Sequence, residues 1–307
     1  MNSLSITYSI TKESVCTDPI RTVVIATGVH GNEQTSMELG NYWLKNPKEL
    51  EREGLRVSMI KADVDNDSKC VRFQDVDMND QFGFDTLYAA PSESDPRELK
   101  IARQIAEALG GKPLNPKNPD FILDLHNTTA NMGICIIVSQ ATPLNKRVIG
   151  HVVKKFPWVN VWYTPDDITA DTSFDSLSRN GFTVEVGPVP HGKFDPAKAR
   201  YEYDLVHEIL NFLVEWNRGN IGKPTKVTVF KQLGDIYYPD GGKVFPPLLM
   251  SDYLPINKGD VIMLDGAGQP VKWTGDQTVW PVMIDEVAYQ TEYNDAMSLT
   301  TKEIHNW

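Results

Sequence analysis

The stretch GVHGNEQ, residues 28–34, sets His30 and Glu33 on a glycine-flanked turn directly after the apolar run TVVIATG. A second apolar run, DFILDLHN, closes on Asp124, His126 and Asn127, and a third, GFTVEVG, carries Glu185 among apolar neighbours. In open α/β sheets ligands gather beyond the carboxyl ends of the strands. Two imidazoles and a carboxylate delivered there form a donor set for a catalytic divalent ion, zinc by preference, with a position left for water. Glu185 could then take the proton of that water as general base. Asp124 points to the same side of its strand as His126 and can fix the imidazole tautomer. Each piece also has a plainer reading. A strand-end histidine is often a hydrogen-bonded structural residue, Glu185 could be half of a buried ion pair, and Asp124 could be a strand-end cap. What favours the ion is that all three groups follow apolar strands within one α/β segment. Gly28 and Gly31 would permit the bend that aims His30 and Glu33 at one point.

These residues need a scaffold, and the pattern around them supplies one. TVVIATG, LRVSMIKAD, PDFILDLHN, GICIIVSQ, WVNVWYT and GFTVEVG read as strands. Between them lie helix patterns. QTSMELGNYWLKNPKELEREG is stopped by Gly54, and DPRELKIARQIAEALGG has Asp95 as N-cap and Pro96 in the first turn. PLNKRVIGHVVKKF follows, and then the long helix that starts at Asp195 and Pro196. The expected fold is α/β, with a mixed central sheet covered by helices on both faces. After Gly222 the pattern changes to short alternating strands with turn-rich joints and no helical period. The expected organisation is a catalytic domain over 1–218 and a small β-rich C-terminal domain over 219–307.

Composition narrows the function classes. The 307 residues are 41% hydrophobic and 23% charged, as in an ordinary globular protein. A net charge of −11 speaks against a nucleic-acid partner, which needs clustered Lys and Arg. No apolar stretch reaches the length of a membrane helix, and the first residues lack the basic and apolar regions of a signal peptide. Cys16, Cys70 and Cys135 are odd in number, widely spaced and without a CxxC pair. That fits a reducing, cytoplasmic location rather than a disulfide framework or thiolate metal cluster. His191, His207 and His305 have no comparable context.

The same residues resemble the aspartoacylase and aminoacylase III group within the zinc carboxypeptidase-like fold, which also includes succinylglutamate desuccinylases. The points of resemblance are HGNE, CVRFQDVDMN, DLHNTTANMG, VEVGPVPHG and VMIDEVAYQ, and the likeness runs from about Arg21 to about Leu299. It implies one zinc ion per chain on His30, Glu33 and His126, with Glu185 as the base. It also implies Arg72 polarising the scissile carbonyl and stabilising the oxyanion. Asn79 would contact the polar end of the substrate, Tyr289 would reach in from the C-terminal domain, and Asn127 would line the pocket. Asp77 is expected to buttress Arg72 or Asn79, a surface salt bridge being the alternative. The implied activity is hydrolysis of the amide of a small N-acyl amino acid, with a homo-oligomer expected by the same analogy.

Two positions depart from the family pattern. An arginine normally follows the asparagine and clamps a carboxylate, but here Asp80 stands there. A second arginine lies ten residues before the base, and here that position is Asp175, with Arg179 nearby in sequence. Anions at both points would repel a dianionic substrate. The expected substrate is therefore an N-acylated amine with a neutral or cationic amine half, unless Asp80 and Asp175 are solvated and specificity is set elsewhere. A true aspartoacylase or amino-acid aminoacylase, or an esterase on the same site, is the alternative. A catalytically silent binding protein would be marked by loss of a ligand or the base, and all are retained.

Overall fold

The computed structural model describes residues 18–112 and 118–307, so Cys16 and the N-terminal stretch lie outside the described residues. Eleven strands are described: β1 Thr22–Thr27, β2 Arg56–Lys61, β3 Phe121–Asn127, β4 Ile134–Val138, β5 Val159–Tyr163, β6 Gly181–Val186, β7 Lys226–Tyr237, β8 Lys243–Val244, β9 Val261–Leu264, β10 Pro270–Lys272 and β11 Asp295–Asn306. The helices are α1 Gln34–Lys45, α2 Val64–Lys69, α3 Phe84–Tyr88, α4 Arg97–Leu109, α5 Pro143–Lys155, α6 Pro196–Asn217 and α7 Val287–Glu292. Eight strands form one mixed sheet in the order β11-β7-β5-β4-β6-β3-β1-β2. β4 runs antiparallel to β6, and β11 antiparallel to β7, while the other neighbours are parallel.

The sheet is buried between two helical layers, as β-branched runs without polar alternation require. On one face Val23, Ile25, Leu123 and Val184 pack under Trp43 of α1, Val148 of α5 and Leu205 and Ile209 of α6. On the other, Val24, Ala26 and Ile122 meet Leu87 of α3, Ala102 and Ala106 of α4, and Phe174. β3 is buried at all seven positions, Asp124 and His126 included. Burying such groups is costly unless each finds a partner, so their environment must be built around them.

Several elements differ from the sequence reading. α1 stops at Lys45 rather than near Gly54, because Pro47 disfavours helical backbone at Asn46 and starts a separate 3₁₀ turn, Pro47–Leu50. α4 begins after Pro96, whose backbone is extended. The Asp95 carboxylate is engaged by the Ser92 N–H and the Arg103 guanidinium instead of capping the helix. The C-terminal region contains a helix, α7, where only strands were expected. Within that region β8, β9 and β10 form a three-stranded sheet, whereas β7 and β11 extend the large sheet beside β5. Val282 and Met283 pack with Met132, Cys135 and Trp162, which brings the C-terminal region against the strands that carry the chemistry. Among the described residues no helix is long and apolar enough to cross a membrane.

Candidate metal centre and catalytic cleft

β1, β3 and β6 are parallel, so their carboxyl ends lie side by side. The register sets His126 beside Glu185 and Asp124 beside Thr183. After β1 the chain turns through Gly28, whose φ of +72° is left-handed, and returns as α1. Gly31 is needed for a different reason: a Cβ there would stand 2.2 Å from the backbone carbonyl carbon of Asn66. Glu33 occupies the N-cap position of α1 but makes no cap with its side chain, which turns inward instead.

Among the described residues, His30, Glu33 and His126 form a group whose donor atoms lie within 4.8 Å of one another. His30 Nδ1 is 2.7 Å from Glu33 Oε1 and 3.1 Å from His126 Nδ1, and His126 Nδ1 is 3.0 Å from Glu33 Oε2. The outer nitrogens meet carboxylates, His30 Nε2 at 3.0 Å from Asp77 Oδ1 and His126 Nε2 at 2.8 Å from Asp124 Oδ2. A carboxylate only accepts, so each Nε2 carries a proton. Both Nδ1 atoms face each other and Glu33, an arrangement that could hold a cation at its centre. Without one, a proton serves. Burial would lower the pKa of His126, but the Asp124 and Glu33 carboxylates outweigh it and hold the ring well above its ordinary value.

The surrounding hydrogen bonds fix this set in place. Glu33 Oε2 accepts from the Asn127 N–H at 3.1 Å, and Oε1 accepts from Arg72 Nη1 at 3.1 Å. Asn127 Oδ1 accepts from the Thr35 N–H at 3.0 Å, so Asn127 ties the end of β3 to the first turn of α1. Asp77 receives Arg72 Nη2 at 2.8 Å and the Asn79 N–H at 2.7 Å, so it buttresses Arg72 and Asn79 together besides holding His30. Arg72 also pairs with Glu292 Oε1 at 3.0 Å. Burial opposes its charge, yet Asp77, Glu33 and Glu292 keep it protonated far above the physiological range.

Glu185 completes the cavity. It is buried, and its Oε2 has no hydrogen-bond partner among the described residues. Burial, reinforced by the nearby Glu33 charge, raises its pKa well above that of an ordinary carboxylate. The space shared by His30, Glu33, His126, Arg72 and Glu185 amounts to about 20 Å³, room for an ion or a single water. From the C-terminal region Tyr289, Met283 and Glu286 close it.

Glu286 was not singled out from the sequence. Its carboxylate accepts from the Thr129 N–H at 2.7 Å, Thr129 Oγ1 at 2.8 Å and the Ala130 N–H at 3.1 Å, and also from Thr128 Oγ1. His191 Nε2 lies 3.4 Å from its other oxygen, which gives that histidine a neighbour the sequence did not suggest. The one available signal was an acidic residue at the N-cap of VAYQTE.

A cleft of about 500 Å³ opens from the ion cavity and shares Arg72, Asn79 and Tyr289 with it. Asn79 Oδ1 accepts the Phe174 N–H at 3.1 Å, which holds the residue between the two spaces. Asp80 lines the cleft and accepts from the Tyr293 hydroxyl at 2.5 Å. Asp175 lines neither space. It is buried in the 3₁₀ turn Phe174–Leu177, 3.4 Å from Thr183 Oγ1, and burial together with Asp171 pushes its pKa up to about 7. The structure thus brings together every expected site residue except Asp175.

Residues 19–213 match the model of the succinylglutamate desuccinylase/aspartoacylase catalytic domain. The chain belongs to this family. It is 32% identical over 285 residues to the mouse N-acyl-aromatic-L-amino acid amidohydrolase (carboxylate-forming), covering 90% of this chain and 89% of that protein. Rat aspartoacylase is 31% identical over 302 residues, covering 94% and 95%. The crystal structure of murine aminoacylase 3 superposes with a TM-score of 0.88 at 31% identity, over 94% of this chain and 97% of that one. The fold is shared more distantly with succinylglutamate desuccinylase from Vibrio cholerae, with a TM-score of 0.65 at 17% identity, covering 94% and 85%. In this member of the desuccinylase/aspartoacylase family, the ion cavity combines residues inside the matched catalytic segment with Met283, Glu286 and Tyr289 beyond it.

Proposed function

We propose that this protein is a zinc-dependent deacylase that hydrolyses the amide of a small N-acylated amine or amino acid with a neutral or cationic amine half. The observation that carries the reading is the unpartnered Glu185 Oε2, buried in the same small cavity as the convergent His30, Glu33 and His126 donors. The donor chemistry suits zinc, which would be held by the Nδ1 atoms of His30 and His126 and by the Glu33 carboxylate. Bound there, the ion would lower the pKa of water toward about 7 and polarise the acyl carbonyl.

The remaining work falls to the chain. Glu185 accepts a proton from the attacking water, a role that burial favours by making its carboxylate more basic than an ordinary one. The water oxygen bonds to the acyl carbon, and Arg72 stabilises the charge that develops on the carbonyl oxygen. Glu185 then returns its proton to the leaving nitrogen as the C–N bond breaks, so the products are a carboxylate and an amine. Asn79 and Tyr289, which line both the ion cavity and the cleft, orient the acyl group between them. Asp80 at the cleft wall disfavours a second carboxylate on the amine half.

The test is metal analysis combined with a hydrolysis screen of N-acetylated amines and amino acids, on wild type and on Glu185→Ala. Both proteins should bind one zinc, and the variant should lose turnover by roughly 10²–10⁴-fold. Full activity in the variant, or no zinc in either protein, would refute the reading.

A further inference from the structure

The cleft beyond the ion cavity has a charge pattern that the hydrolytic chemistry does not call for. Among the described residues lining it are Asp77, Asp80, Asp166, Asp235 and Asp295, against one basic residue, Arg72. Arg72 stands among three carboxylates, Asp77, Glu33 and Glu292, so its charge is balanced within the protein. A substrate carboxylate entering here would meet a guanidinium whose charge three protein carboxylates already balance, although Nη1 and Nη2 each keep one N–H for a carbonyl oxygen.

The acidic wall itself is held ready. Asp235 Oδ1 accepts from Ser298 Oγ at 2.6 Å and from Gln232 Nε2 at 3.0 Å, and the Gln232 amide oxygen accepts the Trp162 indole N–H at 2.8 Å. This chain of bonds fixes both the carboxylate and the aromatic ring on one side of the cleft. Asp235 and Asp295 stand on the paired strands β7 and β11, close enough that Asp235 raises the pKa of Asp295, to about 6, on top of burial. Asp295 Oδ1 is itself a buried atom with no hydrogen-bond partner among the described residues. Two neighbouring carboxylates and an indole lining the same cleft make a receptor for a cation on a short apolar stem.

We infer that the amine half of the substrate carries a second, cationic nitrogen, and that this ammonium docks between Asp235 and Asp295 with its alkyl stem along Trp162. The substrate class is then the mono-N-acylated diamine, and Asp235 and Asp295 are specificity-determining residues. The inference rests on the deacylase reading for its substrate, but its binding claim can be tested apart from turnover.

The experiment compares N-acetylputrescine with its neutral isostere N-acetylbutylamine. Binding to zinc-loaded Glu185→Ala is measured by titration calorimetry, and kcat/KM on wild type by amine release. A charge-assisted pair in a partly desolvated cleft should favour the diamine roughly tenfold or more in both measurements. In Asp235→Asn and, separately, Asp295→Asn the ratio should collapse toward unity, and in wild type it should shrink at high salt. Equal affinity for the two ligands, or a preference that survives both substitutions, overturns the inference. If the diamine binds selectively but no acetylated amine is hydrolysed by wild type, it is the deacylase reading that fails while the cation site stands.

Discussion

At the scale of single residues, the candidate centre depends on carboxylates outside its donor set of His30, Glu33 and His126. Asp124 is fully buried in β3, and its one hydrogen-bonded oxygen is spent on His126 Nε2. Asp124→Asn should remove the charge and add an amide donor beside Nε2, which favours the tautomer protonated on Nδ1, the nitrogen proposed to face the ion. Zinc affinity should fall about 10–100-fold, measured by competition with a chelator of known affinity. A change of less than about threefold would show that Asp124 is only a packing residue. Arg72 poses a different question, because its fork spans Glu33 and Asp77 at once. A lysine keeps the charge but not the planar fork. Arg72→Lys should therefore lower kcat by about 10²–10³-fold with a much smaller change in KM, the pattern of a contact made chiefly in the transition state. A loss confined to KM would place Arg72 in ground-state binding instead.

At the scale of elements, the turn after β3 and helix α7 are joined through one buried carboxylate. Burial alone would raise the pKa of Glu286, but His191, Thr128 and Thr129 outweigh it and bring the value down to about 2. A folded-state pKa below the unfolded value means stabilisation that is complete above the unfolded pKa and is lost as pH falls toward the folded one. Wild type should exceed Glu286→Gln by up to about 3 kcal/mol near neutral pH, and the gap should close between roughly pH 4.5 and pH 2. Denaturant unfolding of both proteins across that window checks it, and a gap independent of pH would assign the effect to shape alone. This contact also marks where sequence reading runs out. The strand ends bearing His126 and Glu185 were legible because β-branched runs announce buried strands, and their polar interruptions stand out against them. Helix α7 was not, since six residues complete less than two turns and carry no period. β7 shows itself as a strand, but nothing local says that it joins β5 and β11 in the large sheet. Asp80 could be placed at the cleft from its neighbour Asn79. Asp175 could not, because a count back from Glu185 does not reveal the 3₁₀ turn that buries it.

At the scale of the whole molecule, the ion cavity is where separate layers meet. The β1–α1 turn gives His30 and Glu33, the sheet gives His126 and Glu185, and the C-terminal region gives Met283, Glu286 and Tyr289. An ion bound there would link parts of the chain that are far apart in sequence and, preferring the folded state, would stabilise the whole. At a free zinc concentration of 100 times Kd the gain is about 2.7 kcal/mol. At roughly 2–4 °C per kcal/mol, chelation should lower Tm by several degrees. The effect should depend on pH with a definite sign. The ion needs neutral imidazoles, whereas in its absence the Asp124 and Glu33 carboxylates, working against burial, favour a protonated His126. Lowering the pH therefore stabilises the metal-free form relative to the loaded one, and the Tm difference should narrow steadily on acidification. Glu185 contributes no donor to the set, so Glu185→Ala should show the same chelator-induced shift as wild type, while His126→Ala should show almost none. Scanning calorimetry with and without chelator, at several pH values, separates these cases. A shift that is absent in wild type, or that persists in His126→Ala, would mean that the three donors are not where the ion binds.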